Sequence, residues 1–172
     1  GHGKRCAFLD LKADIDRATL LGLVDQADIF TQGYRTGAME RLGLSAEALI
    51  ALRPGLIHVS INCYGHTGDW AARPGWEQLA QTVSGMAHVQ GADGEPTLLP
   101  AAVNDYTTGY LAALGAMIAL RRRGVEGGSW RVRVSLTRTA MWVRGLGQRD
   151  PAATPFSSDE LASWSIREDG GW

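Results

Sequence analysis

The stretch that decides the fold is Pro100-Ala-Ala-Val-Asn-Asp-Tyr-Thr-Thr-Gly109, which runs directly into Tyr110-Leu-Ala-Ala-Leu-Gly-Ala-Met-Ile-Ala-Leu120. The second part predicts a helix with one apolar face, because its large apolar residues recur at helical spacing. Those residues are Leu111, Leu114, Met117 and Ile118. The alanines and the glycine between them are small enough to let another backbone come close. We therefore expect a buried helix that begins at Asn104-Asp105, two residues favoured at helix N-termini.

Asp105 has two interpretations at this point. It is either a helix cap, which is the commoner role of an aspartate at such a position, or a carboxylate presented for chemistry. The N–H groups and the dipole at a helix N-terminus favour an anion there. The spacing alone favours a cap, so the rest of the chain has to decide.

The bulk composition is that of an ordinary soluble globular protein. The chain has 172 residues, 45% of them hydrophobic, and a formal net charge of −1. No long basic block is present, which argues against nucleic acid or an anionic membrane as the main partner. Cys6 and Cys63 lie in apolar runs and are expected to be buried free thiols in a reducing compartment. The four histidines lack ligand spacing, so no metal site is expected. Because no signal peptide or long apolar run is present, we expect a cytoplasmic protein.

The first half of the chain alternates predicted strands and helices. Strands are predicted over 4–12, 27–32 and 56–62, and helical segments from Asp14, over 38–42 and over 45–52, with Ser45 as the cap. This alternation is typical of a parallel sheet in the α/β class. Ligands gather at the carboxyl ends of such strands. That edge would carry Lys12, the turn 33–37 and the loop 64–68.

The second half continues the pattern and then loses it. We predict a helix over 74–87 that is interrupted near Gly85, and a loop or short hairpin over 89–100. The central helix should stop before Gly124, after Arg121–Arg123. A half-exposed strand within 127–136 and a last helix over 137–146 complete the pattern. Beyond Gly147 the apolar period fades, and 151–159 has the composition of a linker.

Four stretches in unbroken order resemble the class III CoA-transferases, the CaiB/BaiF family. Gly3-Lys-Arg-Cys-Ala-Phe-Leu-Asp-Leu-Lys12 is similar to that family's Gly-Lys-Arg-Ser…Leu-Asp-Leu-Lys motif, and Tyr34-Arg-Thr-Gly…Arg41-Leu-Gly43 to its Asn-Phe-Arg-Pro-Gly…Arg-Leu-Gly element. The segments 56–68 and 73–85 resemble its Gly-Gln-Thr-Gly and Arg-Pro-Gly-x-Asp/Glu segments. Asn104-Asp105-Tyr-Thr-Thr-Gly109 falls where the family has its catalytic aspartate.

The resemblance implies a Rossmann-like large domain over 1–147, without its N-terminal segment, and a linker over 148–172 toward a small domain. It implies an interlocked homodimer and the transfer of CoA from an acyl-CoA donor to a carboxylic acid. CoA thioester is then a substrate, and no tightly bound cofactor is expected. The chain would be a fragment of the large domain.

The resemblance also implies the site residues. Asp105 would be the nucleophile, and Glu77 matches a second acidic position near the active site; an exposed helix residue is the competing interpretation of Glu77. The CoA contacts would be residues that follow or flank the first strands: Leu9, Lys12, Gly33, Tyr34 and Arg41. Two cations suit a 3′-phosphate and a pyrophosphate. The competing interpretation of Lys12 and Arg41 is a solvated charge at a helix end.

Departures from the family pattern limit the alternatives. The racemase branch, which inverts 2-methylacyl-CoA, has a His directly before the acidic residue of the Pro-Gly helix; here that residue is Trp76, so a racemase is disfavoured. Gly33 and Thr36 replace the family's usual Asn and Pro. An inactive CoA-binding fragment or structural subunit remains open. A dinucleotide-dependent oxidoreductase or a serine hydrolase is disfavoured, because neither Gly-x-Gly-x-x-Gly nor Gly-x-Ser-x-Gly occurs in the expected context.

Overall fold

The computed structural model describes residues 3–91, 94–147 and 156–164. Its elements follow in chain order: α1 Asp14–Asp25, β1 Ile29–Gln32, α2 Ala38–Arg41, α3 Ala46–Leu52, β2 Ile57–Asn62, α4 Glu77–Val83, α5 Met86–Gln90, α6 Val103–Glu126, β3 Trp130–Ser135, α7 Leu136–Gly145 and α8 Ser158–Ser163. Ser45 caps α3, as predicted, by accepting the Ala48 N–H at 3.1 Å. The predicted break near Gly85 separates α4 from α5, and Gly85 has a φ of 78°.

The three strands form one parallel sheet in the order β1-β2-β3. Ile29 pairs with Ile57, and Ile57 pairs in turn with Trp130. Parallel neighbours require crossover connections, which α2 and α3 supply between β1 and β2, and α4 to α6 between β2 and β3. The prediction of an α/β fold with a parallel sheet and flanking helices is confirmed.

Helix α6 lies on one face of the sheet through its smallest side chains. Ala112, Ala116 and Ala119 form a buried cluster with Ile57 and Val59 of β2. A Cβ added at Gly115 would lie only 2.6 Å from Cγ1 of Val132 in β3, so the helix backbone approaches the strand very closely there. A second cluster joins α1, α2 and α3 to the start of β2.

The prediction that the large apolar residues form the buried face of α6 is wrong. Leu114, Met117 and Ile118 are 49%, 59% and 51% exposed, while the alanines on the other side are buried. The reason is steric, because a helix that packs closely on a sheet leaves room only for alanine and glycine at the contact. In the described part of the chain, Leu114, Met117 and Ile118 therefore lie on the exposed side of α6.

The first predicted strand is also wrong. Residues 4–12 have no regular secondary structure, and Phe8 is 90% exposed. Cys6 is exposed rather than buried. A strand needs a neighbouring strand to satisfy its backbone N–H and C=O groups, and within the described residues the sheet consists of β1, β2 and β3 alone. The apolar residues of this segment predict a strand only where such a neighbour exists.

Two further boundaries differ from the predictions. Helix α6 continues past Gly124 to Glu126 and ends at Gly127, whose φ is 70°. Helix α8 lies inside the predicted linker, where Ser157 and Glu160 form a capping box. The other linker residues, 148–155 and 165–172, lie outside the described residues. None of the helices in the described part is long and apolar enough to cross a membrane.

Candidate active site

The start of α6 is held by a carboxylate from another helix. Glu77, the first residue of α4, is 3% exposed. Its Oε1 accepts the Asn104 backbone N–H and the Asn104 side-chain Nδ2, each at 3.2 Å. Its Oε2 accepts the Asp105 backbone N–H at 2.9 Å. Glu77 thus satisfies two N–H groups that a helix cannot satisfy internally, and the interpretation of Glu77 as an exposed helix residue is wrong.

Gln81 lies one turn after Glu77 and joins the same site to the segment that leads into α6. Its Nε2 donates to Glu77 Oε1 at 2.7 Å and to the Ala101 carbonyl at 3.3 Å. Its Oε1 accepts the Leu99 N–H at 2.8 Å. Gln81 is only 2% exposed. The spacing of Glu77 and Gln81 places them on one face of α4. The sequence does not indicate that this face contacts the start of α6 and the segment before it.

Asp105 is the third residue of α6, and its side chain is exposed. It does not cap the helix, because the N-cap position is occupied by Ala102 and has no side-chain cap. Partial burial and, to a lesser degree, the neighbouring Glu77 carboxylate raise the pKa of Asp105 above its ordinary value. We expected nearby N–H groups to keep Asp105 ionised. The structure differs, since the N–H groups of Asn104 and Asp105 donate to Glu77 instead.

The end of β2 lies beside these two carboxylates. Cys63 follows β2 and is buried, as expected, and its thiol donates to the Trp76 carbonyl at 3.6 Å. A Cβ added at Gly75 would lie 2.6 Å from Cys63 Sγ, so only glycine lets the chain pass this close. Burial raises the pKa of the Cys63 thiol, and the Asp105 and Glu77 carboxylates add to the effect. Because Cys63 contacts Trp76, which directly precedes Glu77, and Glu77 binds the Asp105 N–H, both acidic residues lie near the carboxyl edge of the sheet.

The five predicted CoA contacts lie elsewhere, around α1, the end of β1 and α2. Tyr34 is 61% exposed and lines a cavity of about 190 Å³ beyond β1 and β2. Arg41 is the last residue of α2. Its guanidinium lies close to Gly37, which lines the same cavity as Tyr34. Lys12 is exposed, and its backbone N–H donates to Asp10 at 3.1 Å. The other two, Leu9 and Gly33, are half-buried and exposed respectively. The structure brings Asp105 and Glu77 into contact, whereas Tyr34 and Arg41 lie at the cavity beyond β1 and β2.

Sequence reasoning missed a basic cleft at the same edge of the sheet. A second cavity of about 420 Å³ lies between the loop at Gly65, the end of β3 and α7. Both cavities are lined by His66 and Arg133, so they adjoin each other. The alternation of β3 predicted an exposed Arg133, but only the fold shows that it faces a cavity. The described residues contain no group of three His, Cys, Asp or Glu side chains that could hold a metal ion.

Comparisons with known proteins agree with this architecture. A family model described as CoA-transferase family III matches residues 1–152. An acyl-CoA transferase from Gibberella moniliformis is 38% identical over an alignment of 176 positions. The alignment covers 95% of this chain and 31% of that protein. An acetyl-CoA:oxalate CoA-transferase from Acetobacter aceti is 34% identical, over 78% of this chain and 35% of that protein. This chain thus spans about a third of the length of the curated relatives it matches.

A solved structure shows the same fold. The crystal structure of a CAIB/BAIF family protein from Brucella suis superposes with a TM-score of 0.78 and 30% identity, over 82% of this chain and 38% of that one. The family model covers most of the chain, and the parallel sheet with its flanking helices has a counterpart in a solved member. The chain therefore belongs to CoA-transferase family III.

Proposed function

We propose that this chain carries the nucleophile of an acyl-CoA:carboxylate CoA-transferase, and that the nucleophile is Asp105. One observation carries the proposal: the Asp105 carboxylate is exposed on the first turn of α6 while the backbone of that turn is already held by the buried Glu77. A raised pKa supports the role, because a more basic carboxylate is the better nucleophile once it is ionised.

The proposed reaction has two halves of the same form. An oxygen of the Asp105 carboxylate attacks the donor thioester carbonyl, the C–S bond breaks, and CoA leaves as a thiolate while a mixed anhydride forms. The thiolate then attacks the aspartyl carbonyl, which releases the donor acid as its carboxylate and leaves an aspartyl-CoA thioester. The acceptor carboxylate repeats these steps in reverse order, forms the new acyl-CoA and returns Asp105 as a carboxylate.

The remaining assignments are parts of the same proposal. Glu77 fixes the turn that carries Asp105 and raises its basicity. Lys12 and Arg41 would bind the CoA phosphates, with Leu9, Gly33 and Tyr34 beside the nucleotide or pantetheine. Residues 1–147 would be the large domain and 148–172 a linker to a small domain. The working enzyme would be a homodimer, supported by the outward apolar side chains of α6.

The test is covalent trapping at Asp105. The chain is mixed with short acyl-CoAs, treated with hydroxylamine and examined by intact mass and peptide mapping. We expect a hydroxamate at Asp105 that is lost in Asp105→Ala. The matched control is Asp14→Ala, which removes an acidic residue from the first turn of α1. A hydroxamate at another carboxylate, or one that persists in Asp105→Ala, would overturn the assignment.

The second candidate is a CoA-binding or structural subunit without chemistry of its own. The exposed apolar side chains of α6 and α7 favour it, because they suit a surface that packs against another chain or domain. Calorimetry separates the two candidates. Binding of CoA without any adduct would support the second candidate, and an adduct at Asp105 would support the first.

A further inference from the structure

We propose that Gln81 is the positioning residue of the Asp105 site: it fixes the direction in which α6 begins by holding both Glu77 and the approach segment 99–101. The inference rests on the proposed function, because it assigns Gln81 a role in presenting the nucleophile. Gln81 lies in the segment 73–85 that resembles the family, but it was not among the site residues predicted from the sequence.

Every polar atom of the Gln81 carboxamide has a partner among the described residues. Nε2 donates to Glu77 Oε1 at 2.7 Å and to the Ala101 carbonyl at 3.3 Å. Oε1 accepts the Leu99 N–H at 2.8 Å. The side chain is 2% exposed, so water does not compete for these contacts. A carboxamide suits this place because one planar group donates to a carboxylate and also accepts a backbone N–H.

The contacts form a chain that ends at Asp105. The first turn of a helix is its least constrained part, because its N–H groups have no acceptor within the helix. In α6 the N–H groups of Asn104 and Asp105 take their acceptors from Glu77. The orientation of the Glu77 carboxylate depends in turn on the Gln81 donor. Gln81 also fixes the chain at Leu99 and Ala101, directly before α6 begins.

The surroundings leave room for movement if Gln81 is lost. A cavity of about 190 Å³ lies between α4 and the segment from Leu98 to Ala102, and Glu77 and Gln81 form part of its wall. The approach segment is therefore not held in place by close packing on that side. Without the carboxamide, the segment can shift into this space and turn the start of α6 with it.

The experiment compares amide hydrogen exchange by NMR in the 172-residue chain and in two variants. Gln81→Met removes all three contacts. Gln81→Glu retains an acceptor for the Leu99 N–H but replaces the donor to Glu77 with a second carboxylate. The control is Arg144→Met, which removes a contact from Arg144 Nη1 to the Ser84 carbonyl at 2.9 Å and leaves Glu77 untouched.

Gln81→Met should speed exchange of the Leu99, Asn104 and Asp105 amides about tenfold relative to those of β2. The Leu99 N–H loses its acceptor. The Glu77 carboxylate, which accepts the other two N–H groups, loses the Gln81 donor that orients it. Gln81→Glu should speed exchange at Asn104 and Asp105 only. Arg144→Met should produce neither pattern. Uniform acceleration across α4 and α6, or unchanged rates at these three amides, would overturn the inference.

A second readout separates positioning from simple stability. In Gln81→Met, adduct formation at Asp105 should slow about tenfold while the affinity for CoA measured by calorimetry stays the same. A fall in affinity with an unchanged rate would contradict positioning. If the wild-type chain forms no adduct, the proposed function fails, and the exchange pattern alone decides whether Gln81 holds the start of α6.

Discussion

At the scale of single residues, the two carboxylates of the site differ in how far they are buried. Glu77 is buried and receives four hydrogen bonds, whereas Asp105 is exposed and donates its own N–H to Glu77. Partial burial of Asp105 and, to a lesser degree, repulsion by Glu77 raise the pKa of Asp105. The ionised form of Asp105 is therefore less favourable in the folded protein than in the unfolded chain.

The first prediction follows from the sign of that pKa shift. A carboxyl group with a raised folded-state pKa lowers stability as pH rises from the unfolded-state pKa through the folded one. Asp105→Asn should therefore raise the midpoint of thermal unfolding at pH 7, and the gain should vanish below about pH 3, where aspartate is mostly protonated in both states. Asp14→Asn, in the first turn of α1, should show no such gain, because an acid there complements the helix dipole.

The second prediction concerns Glu77. Glu77→Ala leaves the Asn104 and Asp105 N–H groups without their acceptor and should lower the free energy of unfolding by about 2–4 kcal/mol. Glu77→Gln retains one acceptor oxygen and should cost less. Urea denaturation measures both variants. Equal stability of Glu77→Ala and wild type would show that Glu77 does not hold the helix start.

The sequence predicted Asp105 and Glu77 as site residues, but not that Glu77 holds the backbone N–H of Asp105. Family resemblance placed both in a site, but at a separation of 28 positions no local signal showed that one would bind the backbone of the other. Periodicity and capping rules describe residues within about one helical turn. These rules cannot predict a cap that another helix supplies, nor the contacts of Gln81 with Leu99 and Ala101, which are 18 and 20 residues away.

At the scale of elements, α6 shows what a hydrophobic pattern leaves open. The pattern predicted the helix correctly, since it needs only spacing. It gave the wrong buried face, because alanine and glycine count little in a hydrophobicity pattern although they permit the closest packing. The deciding contact, Gly115 against Val132, joins residues from two elements and depends on the distance between helix and sheet.

The third prediction tests that close contact. Gly115→Ala places a Cβ 2.6 Å from Val132 Cγ1, whereas Gly124→Ala in the same helix meets nothing within 4 Å. Both variants gain helix propensity, so their difference reports the clash. We expect Gly115→Ala to be less stable than Gly124→Ala by about 1–3 kcal/mol in urea denaturation. Adding Val132→Ala should remove most of the difference. If the two glycine variants are equally stable, the helix is not held this close to the strand.

At the scale of the whole molecule, α6 and α7 expose many large apolar side chains. On α6 and α7 the exposed large apolar residues are Tyr106, Tyr110, Leu114, Met117, Ile118, Val125, Met141 and Trp142. Residues 4–12, which were predicted to form a strand, are a second case in which neighbouring elements decide the structure. Phe8 suits a strand by its composition, yet a strand exists only beside another strand, and single-sequence patterns do not say which neighbours are present.

The fourth prediction concerns association through α6. We expect the wild-type chain to self-associate as its concentration rises, and the Met117→Glu, Ile118→Glu double variant to remain monomeric in sedimentation experiments. The control is Leu23→Glu, which adds a charge at an exposed apolar position of α1. If the control reduces association as much as the α6 variant does, the interface lies elsewhere or the association is non-specific.

The capping of α6 by Glu77 has a consequence for covalent change at Asp105. In a helix capped by its own aspartate, any group attached to that side chain would remove the cap and loosen the turn. Here the side-chain oxygens of Asp105 carry no part of the cap, because Glu77 holds the backbone instead. If Asp105 is the nucleophile that we propose, it passes through the anhydride and the thioester without losing the hydrogen bonds that hold the start of α6.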